Sequence, residues 1–185
     1  MPPTRAHIRD TLERYLSRHP EERQLLLPLR ESLAVPADPT SRTTHPGHVT
    51  CSAILIDPEG RVLHLHHKAL DIDVTPGGHI EHHDEDLTAA VLRELEEEAG
   101  IPCRAVSPPS GMAGIPLDIN IHTIPASLAK GEPEHQHFDF RFPFCVAQDH
   151  IVVLQDAEVT GYRWLPASAV TSPSVAAKLA LLAHT

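Results

Sequence analysis

The sequence predicts an α/β fold in one domain, with strands in the middle of the chain and helices flanking them. Three observations lead there. Apolar residues at three- and four-residue steps mark helices near both ends, β-branched and alternating runs begin at His48, and a strongly acidic stretch of helical spacing interrupts the strands. A chain of 185 residues holds one proper core, and 41% hydrophobic with 22% charged residues is ordinary for a globular protein. Only 4% of residues are aromatic, so Leu, Val, Ile and Ala must supply most of the interior.

Taken in order, Ile8, Leu12, Tyr15 and Leu16 have helical spacing, and Pro20 suits a helix start after a break at "SRHP". A second short helix carries Leu25, Leu26, Leu29 and Leu33, with Pro28 bending or dividing it. The Pro/Thr/Ser-rich stretch "AVPADPTSRTTHPG" connects this helical hairpin to the first strand. The expected division is a helical extension and linker over 1–45, packed on a main domain over 46–185. "HVTCSAILID" and "RVLHLHH" read as a strand hairpin closed by "DPEG". In "TPGG", Pro76 and Gly77 suit the central positions of a type II turn. A helix is expected from about Asp86 to Ala99, stopped by Gly100 and Pro102. "LDINIHTI", "HFDFRFPFCV" and "VTGYRWL" read as strands, and "SPSVAAKLALLAH" as a closing helix.

Net charge is −10, which disfavours nucleic-acid binding by a broad basic face. A small polyphosphate is compatible, because a bound cation inverts the local field. Cys51, Cys103 and Cys145 form no CxxC pair, so a reducing, cytoplasmic setting is expected. No apolar run has the length of a signal-peptide core or a membrane span.

The acidic stretch raises the sharpest question. From Glu81 to Glu98 there are eight acids and one base, Arg93. Leu87, Ala90, Val91, Leu95 and Ala99 form an apolar stripe, while Glu94, Glu97 and Glu98 share a second patch. Neighbours on such a patch lie about 5–6 Å apart. At an effective dielectric near 20 each like-charged pair then repels by roughly 3 kcal/mol. The helix dipole disfavours acids at this end as well. A solvated acidic face is one reading; the other is a site for Mg²⁺ or Mn²⁺, which prefer carboxylate oxygens. The adjacent Gly77–Gly78 pair, where backbone can approach a ligand, favours the second.

These residues resemble the signature of Nudix hydrolases: glycine, five residues, glutamate, seven residues, then Arg-Glu-apolar-x-Glu-Glu-x-Gly-apolar. Arg93, Glu94, Leu95, Glu96, Glu97, Glu98, Ala99, Gly100 and Ile101 match the second half. Seven residues separate Glu85 from Arg93, but six separate Gly78 from Glu85, one more than the pattern; alternatively Asp84 takes the glutamate's place. "PGHVT" and "HxHFDFRF" are similar to a subgroup of small Nudix proteins. The resemblance covers about residues 46–184 and implies an α/β/α sandwich with a mixed sheet. It implies water attack on phosphorus in a nucleoside diphosphate linked to another moiety. It also implies Mg²⁺ or Mn²⁺ on Glu94, Glu97 and Glu98 with the Gly77 carbonyl, Glu94 as general base unless a later loop supplies one, and Arg93 paired with Glu85 or Asp84. Dimers are common in this fold, so a homodimer is a further expectation.

Strand alternation puts His137, Asp139 and Arg141 on one face, with Phe138, Phe140 and Phe142 on the other. Asp139 and Arg141, with His122 on the polar face of "LDINIHTI", are candidates to bind substrate, as are Gly78 and His79 at the paired glycines, His79 by touching phosphate. The fifteen histidines, grouped in "HLHH", "HIEHH" and "HQH", lack the tight spacing of zinc ligands, and alternate strand histidines read as plain surface. A non-catalytic nucleotide sensor and an isoprenoid-diphosphate isomerase are the rival readings. The three mutually repelling glutamates and the complete Arg-Glu-x-x-Glu-Glu half favour hydrolysis over both.

Overall fold

The computed structural model describes residues 2–68, 71–128, 131–146, 152–154 and 159–182. The helical hairpin is α1 (Arg5–Arg18), a 3₁₀ turn at Pro20–Arg23, and α2 (Leu27–Ser32). The strands are β1 (Gly47–Ile56), β2 (Arg61–His67), β3 (Ile72–Val74), β4 (Gly77–His79), β5 (Val106–Ser107), β6 (Asp118–Ile124), β7 (His135–Val146) and β8 (Val159–Pro166). Helix α3 (Leu87–Ala99) comes after β4, and α4 (Pro173–Leu182) closes the described chain.

The mixed sheet is built around β1 and β7, which run parallel side by side from Gly47↔Gln136 to Ile56↔Cys145. It has eight strands in the order β3-β2-β1-β7-β5, with β4 on β1, β6 on β7 and β8 on β2. All pairings other than β1 with β7 are antiparallel. Alternation along β7 buries Phe138, Phe140 and Phe142 against the core, leaving His137, Asp139 and Arg141 for the opposite face.

The N-terminal helices share this core. Ile8, Leu12, Leu16 and Leu29 belong to the same buried cluster as Leu87, Val91 and Leu95 of α3 and the β7 phenylalanines. Full burial of each such leucine contributes about 2 kcal/mol. Among the described residues, no helix is long and apolar enough to cross a membrane.

Two local features position α3. Asp86 caps its N-terminus by accepting from the Ala89 N–H at 2.8 Å. Gly100 ends it at φ 65°. With the apolar stripe turned inward, Glu94, Glu97 and Glu98 project from the other side.

One expectation is corrected. Pro76 and Gly77 do not form a type II turn: Gly77 is not at positive φ, and Gly77–His79 is a short strand paired to Thr50–Ser52 of β1. Close packing is what demands glycine here. A Cβ at Gly77 would run into the Cys51 carbonyl oxygen and the Ser52 backbone.

Candidate active site

A cleft of about 720 Å³ lies beside the exposed side of α3. Small-molecule sites are about 300–1,000 Å³. Gly77, Gly78, His79, Arg93, Glu94, Glu97 and Glu98 border it on one side; His122, Asp139 and Arg141 border it on the other. Thus β4, α3, β6 and β7 bring together every candidate residue except Glu85.

Glu85 is exposed, and Arg93 pairs with Asp84 instead, a correction with a geometric cause. Asp84 is 3% exposed and accepts two hydrogen bonds from Arg93, Nε to Oδ1 and Nη2 to Oδ2, both 3.0 Å. It also takes the Glu81 N–H at 2.7 Å. Burial alone would raise the Asp84 carboxyl; the Arg93 and Glu81 bonds outweigh it and hold the group below its ordinary value. Five residues separate Gly78 from Asp84, the spacing of the Nudix pattern, so the extra residue lies after the acid.

Arg93 organises the carboxylates. Beyond Asp84 it donates to Glu94 Oε1, to Glu97 Oε2 and to the His79 carbonyl, each at 2.9 Å. Burial of the guanidinium is more than offset by these acids, and it stays charged. Glu94 is largely buried, and burial raises its carboxyl above the usual range despite Arg93. Glu98 faces β4, accepting the Gly77 N–H at 2.9 Å. The three glutamates line one cleft, but they are not drawn to one point. Among the described residues, the groups of three ligand atoms within 4.8 Å of one another lie elsewhere.

The glutamates nevertheless fit a hard cation. Backbone approaches them closely enough that a Cβ on Gly78 would lie 2.5 Å from Glu94 Oε1. One arginine shared among three acids leaves Glu97 half exposed at the cleft, and carboxylate oxygens are the ligands such an ion prefers.

The opposite wall is more fully paired. Asp139 is buried and accepts from Ser52 Oγ at 2.9 Å and Arg141 Nε at 3.0 Å. Arg141 also reaches Asp118 at 3.4 Å, so its charge is shared with two acids. The Asn120 amide lies 3.0 Å from His122 Nδ1, which leaves Nε2 to carry the proton. Burial lowers His122's pKa, so the ring faces the cleft as a neutral donor. Among the lining residues that sequence reasoning missed are Arg42 in the linker and Ser172 before α4. Neither lies in a motif; only the fold brings them here. Part of the later segment that could hold an alternative general base lies outside the described residues.

The NUDIX domain family model matches residues 46–183. A protein of Lactococcus lactis subsp. cremoris (strain MG1363), "Probable DHNTP pyrophosphohydrolase", is 30% identical over 91 residues, 49% of this chain. The chain spans about half the length of that curated relative. Among solved structures, a C. elegans Ap4A hydrolase binary complex superposes with TM-score 0.56 at 17% identity, covering 74% of this chain and 98% of that one. The E. coli dihydroneopterin triphosphate pyrophosphohydrolase gives TM-score 0.50 at 21% identity, covering 76% and 97%. Both show a shared fold. With the family model spanning most of the chain and the Arg-Glu-x-x-Glu-Glu helix facing the cleft, the protein belongs to the NUDIX domain family.

Proposed function

We propose that the protein is a metal-dependent pyrophosphohydrolase, cleaving a diphosphate bond in a nucleotide-type substrate by attack of water on phosphorus. The observation that carries this reading is the set Glu94, Glu97 and Glu98 on the cleft-facing side of α3, opposite Gly77 and Gly78. Residues 46–185 would form the catalytic domain and residues 1–45 an extension that helps close its core. The relatives named above act, by their names, on dihydroneopterin triphosphate and Ap4A; we place the substrate of this chain in the same broad class of small nucleotide-derived polyphosphates.

Glu94, Glu97 and Glu98, with the Gly77 carbonyl, would hold Mg²⁺ or Mn²⁺. When bound, such a cation supplies Lewis-acid stabilisation of the charge that grows on the phosphate oxygens. Glu94 is the proposed proton acceptor, since burial makes its carboxylate more basic than usual. Arg93 acts as a positioning residue: its bonds to Asp84 and to the His79 carbonyl fix β4 and the adjoining loop against α3. Gly78 would let the phosphates approach the backbone. His79, His122, Asp139 and Arg141 form the proposed substrate wall, and Arg42 adds a second cation.

The test is a screen of nucleotide sugars, dinucleoside polyphosphates and nucleoside triphosphates with Mg²⁺ or Mn²⁺, reading phosphate or monophosphate release. Glu98→Gln is expected to lower turnover at least about a hundredfold, about 2.7 kcal/mol of barrier, with an unchanged circular-dichroism spectrum. Near-normal turnover in that variant would remove the metal assignment.

A further inference from the structure

A second polar centre lies in the same sheet, beyond the row of Asp139. Five histidines from four strands converge there: His48 of β1, His79 of β4, His122 of β6, and His135 and His137 of β7. The register explains the meeting. His48 is the Cα partner of His137 in the parallel pair, and His137 is in turn opposite His122. His135 lies two residues before His137, so its side chain leaves the same face. His79 pairs with Thr50, two residues after His48. Ring centroids of His48 lie 5.2 Å from His79, 5.1 Å from His135 and 4.8 Å from His137.

We propose that His48, His135 and His137 form a transition-metal site that takes Zn²⁺, separate from the carboxylate helix. One nitrogen from each residue lies within 4.8 Å of the other two. Tetrahedral zinc with bonds near 2.0–2.1 Å needs nitrogens about 3.4 Å apart. Binding would therefore draw the three rings together from their present separation.

Independent observations point to a ligand. His48 is 1% exposed, yet among the described residues neither of its ring nitrogens has a hydrogen-bond partner; the same holds for His137 Nε2. A buried polar atom left unsatisfied costs about 1–3 kcal/mol. The Thr44 backbone is near His48 without a bond of normal geometry. His135 has the orientation of a metal ligand. Its Nδ1 lies 2.8 Å from the Pro133 carbonyl, which can only accept, so Nδ1 carries the proton and Nε2 presents a lone pair. Burial and the neighbouring rings press His48 down to about 4 and His137 to about 3, so both are neutral at pH 7 with lone pairs available.

The donor set selects the metal. Three imidazole nitrogens suit zinc, cobalt, nickel or copper; Mg²⁺ prefers oxygen. Three protein ligands also leave a fourth position open, the arrangement of reactive zinc sites. That position falls at the cleft, since His137 and His79 both border it. The other three-ligand group, His19, Glu21 and Glu22, lacks this character: Glu21 is exposed, and Glu22 is already engaged by Tyr15 and Lys178.

The full-length chain, without a histidine tag and stripped with a chelator, is to be titrated with Co²⁺ and then with Zn²⁺. About one equivalent of Co²⁺ should give the intense visible absorption of a tetrahedral nitrogen-ligated ion, and Zn²⁺ should abolish it. His137→Asn should weaken Zn²⁺ binding at least about 30-fold, since losing a ligand costs no less than losing its supporting partner, typically 10–100-fold. Glu94→Gln/Glu97→Gln/Glu98→Gln and His82→Ala/His83→Ala should each leave binding unchanged. Imidazole ¹⁵N resonances of the unsubstituted protein supply a readout that needs no variant, with His48, His135 and His137 shifting together at one equivalent. Absence of stoichiometric binding overturns the proposal. So does full affinity in His137→Asn, loss of the site in the glutamate or exposed-histidine variant, or resonance shifts confined to other histidines.

Discussion

Two buried polar networks in this molecule touch through one arginine and are built on opposite principles. The first ties the helical hairpin and α4 to the sheet. Lys178, 6% exposed, reaches Asp118 Oδ1 and Glu22 Oε1 at 2.6 Å each and donates to the Tyr15 hydroxyl at 2.5 Å. Tyr15 donates in turn to Glu22, and Ser174 to Asp118. Burial, Glu22 and Asp118 all push the Tyr15 phenol well above its normal range, so it remains a neutral donor. The two acids are met by two cations, Lys178 on both and Arg141 on Asp118 at 3.4 Å, and each of these charged groups has partners. The second network, along the cleft, has Arg93 shared among Asp84, Glu94 and Glu97, a basic Glu94, and histidine nitrogens without partners among the described residues. Arg141 bridges the two, contacting Asp118 on one side and Asp139 on the other.

The contrast teaches how to separate a strut from a site. Buried polar groups are normally satisfied. A network that closes on itself has spent its hydrogen-bonding capacity and can only stabilise. One that leaves acids in excess and lone pairs unused has capacity for a ligand. Both are charged and both are buried; what distinguishes them is whether the partners balance.

The largest test of this division is Lys178→Met. It leaves Glu22 without its cation and Asp118 with Arg141 alone, and should cost about 3 kcal/mol of stability in chemical denaturation, while turnover per folded molecule stays within about threefold. A large loss of turnover at full stability would place Lys178 in the site instead. Next in size is Asp84→Asn, which removes the buried bidentate anchor of Arg93. Turnover is expected to fall about tenfold, as for other lost positioning contacts, with KM less affected; an unchanged kcat would show that Arg93 needs no anchor.

A smaller effect is expected with pH in the metal-free protein. His48 on β1 faces His135, His137, His79, His45 and Arg42; His137 on β7 faces His79, His48, His122 and His135. Their folded values, about 4 and about 3, lie below the ordinary 6.5, so the unfolded chain binds more protons between those limits. The stability from keeping these rings neutral is present above pH 6.5 and is lost as pH falls toward 4. The thermal midpoint should therefore drop between pH 7 and pH 4.5, less so in His48→Asn; a midpoint that rises on acidification would contradict their burial as neutral rings. The smallest effect belongs to Glu85→Gln. An exposed residue outside the Arg93 network should change turnover less than twofold, and a larger change would restore Glu85 to the site.

The helical hairpin, the strand runs, α3 with its caps, and the glutamate patch were all legible in the sequence. Each depends on residues within a few positions of one another, where periodicity and capping chemistry act. Spacing alone left the partner of Arg93 open between Glu85 and Asp84, because both acids can reach it along the chain; burial of Asp84 against the Glu81 N–H decided. The "TPGG" segment misled because Pro-Gly suits a turn locally, while pairing with β1 drew Gly77 into a strand. The strand histidines misled most. Read along β7 alone, His135 and His137 alternate like surface residues, and His48 stands in no group at all.

What the sequence by itself determined is therefore the acidic helix, its stop and the family pattern, all consequences of short-range geometry. The tertiary structure alone decided which acid holds Arg93, which polar network is closed, and that histidines far apart in the chain share one buried pocket. Those outcomes arise from strand register and desolvation, and neither exists until β1, β4, β6 and β7 are laid side by side.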